Sequence, residues 1–191
     1  MPLAETASTF CETLLKTNMI NTLSKDEALT VLEGEISDAT QVILDIMSRF
    51  IFEKEVFEKR EEAALSVEEL CNIMIEAQKA TYGDGLDENY LHPYMWICKP
   101  HYYDGDYNFY NYPYAFGQLF AKGLYKLYEE KGEAFIEEYD KLLKSTGKMN
   151  IVDVGKTIGI DFEDKSFWIN SLKAMEKDIE KFLELTEDLI K

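Results

Sequence analysis

Two short strings, SKDE (Ser24–Glu27) and SVEE (Ser66–Glu69), constrain this fold more than any other feature of the sequence. Each is a capping box, in which a serine hydroxyl accepts the glutamate N–H while the glutamate side chain reaches back to the serine N–H. Each also stands at the head of a run with helical spacing. After Ser24 the apolar residues Leu29, Leu32, Ile36, Ile43, Ile46, Met47, Phe50, Ile51, Val56 and Phe57 carry a long helix to about Ala64. After Ser66 a second helix runs to near Tyr82, where GDGLDENY supplies turn chemistry. The same periodicity predicts a first helix over about Pro2–Asn21, with Pro2 tolerated in its first turn, and a helix over Tyr114–Gly132. Three more follow, at about Glu133–Ser145, Ile151–Ile158 and Ser166–Ile190, with Asn150 and Asp164 or Ser166 as caps and Gly147 and Gly159 as stops. The class is all-α, read as one helical unit over residues 1–191, with no internal repeat.

The segment from Tyr82 to Asn108 breaks this pattern. It holds Pro93, Pro100, Trp96 and both histidines, His92 and His101, and reads as an ordered loop with short extended pieces. Its continuation, KPHYYDGDYNFYNYPYAFG (Lys99–Gly117), carries six tyrosines beside one histidine. Tyrosine clusters usually serve as packing. Yet each phenol must find a hydrogen-bond partner, which makes tyrosine a poor residue for a purely apolar core. Phenols beside an imidazole can donate to a developing oxyanion or grip an extended peptide backbone. Tyr110 and Tyr114, four apart, share a helix face, and Pro113 between them fits a first helical turn. His101 is therefore a candidate electrophile, and His92, in LHPYMW, a structural residue.

Charge excludes several classes. With 37 acidic and 20 basic residues the net charge is −17, which opposes binding to nucleic acid and to anionic membranes. Cys11, Cys71 and Cys98 are odd in number and far apart, which fits neither a disulfide framework nor a cysteine zinc knuckle and points to a reducing cytoplasm. No HExxH occurs, and the two histidines are nine apart, so the helical histidine pair of a hydrolytic zinc site is absent from this sequence.

The front of the chain, PLAETASTFCE, sets Glu5 among the small residues Ala4, Thr6, Ala7 and Ser8, with Glu12 two turns further on. On spacing alone Glu5 reads either as a surface carboxylate or as a metal ligand. Together with YLHPYMWICKPHYY, FYNYPYAFG, SRFIFEKEVFEK and EAQKATYGDG, this stretch resembles the C-terminal part of oligoendopeptidase F, a zinc metallopeptidase of the thimet oligopeptidase family. The resemblance extends from Pro2 to about Phe182.

That resemblance implies a zincin-like, mostly helical, clam-shaped oligopeptidase with a deep channel. Its zinc is held by the two HExxH histidines and a glutamate in an E-x-x-S motif, which ETAS places at Glu5. Glu12 matches a further glutamate behind that ligand. A histidine and tyrosines near the C-terminus bind substrate and stabilise the oxyanion; His101, Tyr110 and Tyr114 match these, with Tyr107 as a further substrate-binding tyrosine. The spacing from the histidine to the first matched tyrosine is longer here than in the thimet branch.

The expectation that follows is a C-terminal portion of a zinc metalloendopeptidase acting on short oligopeptides. It would begin at an interior helix, its partner being the HExxH portion of the same enzyme, and it would be inactive alone. Two other readings stand beside it. One is a naturally truncated, non-catalytic peptide-binding module that dimerises through an exposed face around Ala7, Phe10 and Leu14. The other is a new metal site built from His92, His101 and a carboxylate.

Overall fold

The computed structural model describes residues 3, 4 and 6–189. Pro2 and Glu5, both singled out in the sequence, lie outside the described residues. The described residues hold eight α-helices and no strand: α1 (Thr6–Thr22), α2 (Lys25–Thr40), α3 (Ile46–Arg60), α4 (Val67–Tyr82), α5 (Tyr112–Lys131), α6 (Ala134–Ser145), α7 (Ile151–Lys156) and α8 (Lys165–Thr186). The all-α class is as the sequence predicts. None of these helices is long and apolar enough to cross a membrane.

The punctuation follows local chemistry. At SVEE the capping box is complete: Glu69 N–H donates to Ser66 Oγ at 3.3 Å, and Ser66 N–H donates to Glu69 Oε2 at 2.8 Å. At SKDE, Glu27 Oε2 accepts from the Ser24 N–H and hydroxyl at 3.1 and 2.6 Å. Asn150 Oδ1 caps α7 through the Asp153 N–H, and Asp164 Oδ1 caps α8 through the Ser166 N–H. Gly147 and Gly159 take left-handed φ values of 77° and 76°, which carry the chain out of α6 and α7.

The helical backbone after Ser24 differs from an uninterrupted α-helix in one respect. Gln41–Asp45 form a π segment ahead of α3. A π turn bonds i to i+5 and so inserts one residue into the register. Part of the predicted stripe of α3 faces inward, since Ile46 is buried and Ile51 and Val56 pack on the core. Met47, Phe50 and Phe57, assigned to the apolar stripe from spacing, are exposed, while Asp45, Ser48, Arg49, Phe52 and Glu53 are buried. These five fall at i, i+3, i+4, i+7 and i+8, a regular helical stripe.

The residues group into two compact units, residues 1–39 with 116–191 and residues 40–115, where the sequence reading treats the chain as one. In the first, Phe120, Leu124, Phe135, Leu142 and Val154 are fully or almost fully buried, each worth roughly 1.5–3 kcal/mol of burial free energy. Phe10 joins them, its ring 4.5 Å from that of Tyr139 and 6.2 Å from that of Phe135. This corrects the expectation of an exposed front helix. Phe10 is 5% exposed and Leu14 packs on the same cluster, because α6 and α5 of this chain already cover that face. Among the larger apolar residues of α1, Leu15 is the one left open.

A chain of charges crosses this unit. Lys122 Nζ lies 2.7 Å from Glu35 Oε1 and 3.1 Å from Asp178 Oδ2, and Lys16 Nζ lies 2.7 Å from both Glu35 Oε2 and Glu12 Oε1. Burial disfavours the charges on Lys122 and Lys16, but the carboxylates around them outweigh it and hold both pKa values above the usual lysine range. Burial likewise pushes the Glu35 carboxyl up, and the two lysines bring it below its ordinary value.

The second unit is built on α3 against α4. Phe52, Ile73, Met74 and Ala77 form its core, closed by Met95, Trp96 and Tyr102 from the segment that follows α4. That segment is ordered, as expected, but by three 3₁₀ turns, Glu88–Tyr90, Met95–Cys98 and Pro100–Tyr103, instead of extended pieces. Such one-turn elements need no sheet partner, and the second and third bring Trp96 and Tyr102 against the core of the unit.

Candidate active-site loop

The tyrosine-rich stretch is fixed from beneath by polar groups of α3 and α4. Arg49 Nη1 donates to Asn111 Oδ1 at 3.2 Å, and the other end of the guanidinium is paired with Asp45. Tyr102 Oη donates to the Arg49 carbonyl at 3.3 Å, and burial raises its pKa. The Tyr82 phenol is also pushed up, to about 12, first by burial and then by the Asp45 carboxylate. Gln78, 2% exposed, donates to the His92 carbonyl and accepts from the His92 N–H, both at 3.0 Å. That paired clamp makes His92 a structural residue through its backbone, as its sequence setting suggests.

On this platform four of the predicted residues meet. The His101 imidazole stacks on the Tyr110 ring, centroids 5.3 Å apart and planes 19° from parallel. Tyr107 and Tyr114 stand edge-on to Tyr110 at 4.8 and 6.1 Å. Tyr110 and Tyr114 straddle the start of α5, where Pro113 occupies an early turn and leaves no interior N–H unpaired. Tyr107 and Tyr114 are exposed, while Tyr110 and His101 are half-buried. His101 Nδ1 is buried without a hydrogen-bond partner.

The turn between Tyr107 and Tyr110 is strained. Phe109 has φ 55°, a left-handed conformation that costs a non-glycine residue roughly 1–2 kcal/mol. It is held there by Glu53, whose Oε1 accepts from the Phe109 N–H at 2.8 Å, and by ring contacts with Phe50 at 5.6 Å and Phe57 at 5.4 Å. Glu53 is almost fully buried, and burial raises its carboxyl pKa more than the Phe109 N–H lowers it. Arg49, Glu53, Gln78, Phe109 and Asn111 are the residues the sequence reading misses.

Glu5 lies outside the described residues. Glu12 is exposed and pairs with Lys16 on α1. Among the described residues no three of His, Cys, Asp and Glu converge to hold a metal ion. The expected site from His92, His101 and a carboxylate is therefore not found among the described residues. Nor do the described residues by themselves fit zinc.

Comparison with known proteins extends these findings. Peptidase family M3 matches residues 1–174. Oligopeptidase PepF of Bacillus subtilis (strain 168) is 27% identical over 184 residues, which is 95% of this chain and 27% of that protein. The crystal structure of oligoendopeptidase-F from Enterococcus faecium superposes with a TM-score of 0.86 over 98% of this chain and 36% of that one; at 23% identity the likeness is one of fold. A putative peptidase from Chlamydophila abortus superposes with a TM-score of 0.87 at 27% identity, covering 97% of this chain and 31% of that one. The chain thus spans a minor part of the length of each relative.

Proposed function

Since this chain belongs to peptidase family M3, we propose that it serves as the C-terminal portion of a zinc endopeptidase that hydrolyses short oligopeptides. The observation that carries this reading is the meeting of the His101, Tyr107, Tyr110 and Tyr114 rings in one loop. In this role Tyr110 and Tyr114 donate phenolic hydrogen bonds toward the oxygen of the scissile carbonyl as charge develops on it. His101, aligned by its stack on Tyr110, presents its imidazole to the same oxygen. Tyr107 and Tyr114, exposed beside them, bind the peptide backbone. A positioned donor of this kind is worth about 10²–10³ in kcat.

In this role Glu5 would supply one carboxylate to zinc and Glu12 would support it from the same helix, and the HExxH pair and its base, which this sequence lacks, would come from the rest of the enzyme. Zinc, when bound, lowers the pKa of water and polarises a carbonyl. One carboxylate falls short of the three protein ligands a catalytic zinc needs, so the chain alone is inactive. The cytoplasm is its proposed compartment and short peptides its substrates.

The test has two arms. Antibody detection in the source cell should find this sequence in a species much larger than 22.2 kDa. The purified 191-residue chain, given zinc and a quenched-fluorescent peptide, should show no chelator-sensitive cleavage. Cleavage by the pure chain, or a native species of 22.2 kDa that assembles with no HExxH-bearing partner, would overturn the reading.

A further inference from the structure

Glu53 is a buried carboxylate with no cation paired to it among the described residues, and the chemistry proposed above does not use it. Its one hydrogen bond goes to the amide of Phe109, the non-glycine residue with positive φ among the described residues. The Phe109 side chain is wedged beside Phe50 and Phe57, two aromatic residues of α3 that are otherwise exposed. These features converge on one backbone position, between Tyr107 and Tyr110. A glycine would take this φ without strain, but it would have no ring to seat against α3. Strained backbone persists where its surroundings over-determine it. Here one charged acceptor and two aromatic side chains do so, all three at i, i+3, i+4 or i+7 spacing on one helix.

We propose that Glu53 is a positioning residue, which with Phe50 and Phe57 latches Phe109 in its left-handed conformation and thereby sets the ring stack of His101 on Tyr110. This rests on the reading of His101 and Tyr110 as the working groups of the loop. Its test does not depend on peptidase activity. The latch explains why a carboxylate is buried here without a lysine or arginine. An amide N–H offered to a carboxylate is a charge-assisted bond, and a neutral acceptor of the same shape provides a weaker version of it.

The chain has two histidines, so each imidazole is a separable NMR probe. His101 reports on the Tyr110 ring current, and His92, held by Gln78 through its backbone, reports on the rest of the unit. In Glu53→Leu the His101 Hε1 resonance should lose its stacked-ring shift and the Phe109 amide should exchange about tenfold faster or more. His92 should stay in place. Glu53→Gln, which keeps an oxygen acceptor, should restore most of the His101 position. Phe109→Gly, which keeps the left-handed turn but removes the wedge, should also move His101, and it serves where the leucine variant fails to fold. The proposal is overturned if His101 is unmoved in Glu53→Leu and Phe109→Gly. It is also overturned if His92 moves as far as His101, or if Glu53→Gln behaves as the leucine variant does. If the latch passes while His101 proves dispensable to hydrolysis in a complete enzyme, the fault lies with the active-site reading and not with Glu53.

Discussion

Replacing Lys122 by methionine probes the charge chain where it is most deeply buried. The ammonium stands 2.7 Å from Glu35 and 3.1 Å from Asp178, and the side chains of Lys122, Glu35 and Asp178 are 7%, 9% and 29% exposed. Methionine keeps most of the aliphatic stem, so packing is nearly conserved and the change is electrostatic. Removing one partner of a buried ion pair costs about 3–5 kcal/mol, because the other charge stays behind uncompensated. Two features bring the expectation to the lower end. Glu35 retains Lys16 at 2.7 Å, and Asp178 is open enough to rehydrate. We expect a loss of about 3 kcal/mol, or roughly 6–12 °C in Tm for a chain of this size. Removing the stranded charge as well, in Glu35→Gln with Lys122→Met, should recover roughly 1–3 kcal/mol relative to the sum of the single effects. Urea unfolding of the four proteins of this cycle measures both quantities. A single-variant loss under about 1 kcal/mol, or strict additivity, would refute the claim that this pair is buried and coupled.

Other outcomes follow from the same geometry. A Cβ added at Gly123 would sit 2.4 Å from Phe167 Cζ and 2.7 Å from Ser171 Oγ, so Gly123→Ala should destabilise by about 1–3 kcal/mol despite its better helix propensity. Gly34→Ala in α2 meets nothing within 4 Å and should stabilise by about 0.5–1 kcal/mol in the same urea assay. The Glu35 carboxyl is held below its ordinary value, so its contribution is complete above the unfolded glutamate pKa and is lost as pH falls through the folded one; Lys122→Met should flatten the acid limb of a stability–pH profile. Glu53 has the opposite sign. Its raised pKa gives stability that is present below the unfolded value and lost as pH rises through the folded one, and Glu53→Gln should remove that slope.

Much of this molecule is legible in its sequence, and the reason is local. Capping boxes, caps and stops act over three or four residues, so Ser66 with Glu69, Asn150, Asp164, Gly147 and Gly159 occur where the letters place them. The aromatic cluster is legible for a related reason: His101, Tyr107, Tyr110 and Tyr114 are near neighbours in the chain, and one loop brings their rings together. What was not legible depends on register and on distant contacts. Beside the π segment Arg49 and Glu53 are buried while Phe50 and Phe57 stay exposed, which apolar spacing does not anticipate. Phe10 has no visible partner in the sequence because the residues that cover it, Phe135 and Tyr139, lie more than a hundred positions away.

The role proposed for this chain is to supply working groups to a zinc peptidase. The most direct test substitutes the chain for the matching 27% of the Bacillus subtilis relative and measures zinc content and cleavage of a quenched peptide. The expected result is a zinc-loaded chimera that cleaves, loses its metal in Glu5→Gln, and loses about 10²–10³ in kcat in His101→Ala while still binding zinc. A folded, zinc-loaded chimera that is indifferent to both substitutions would contradict it.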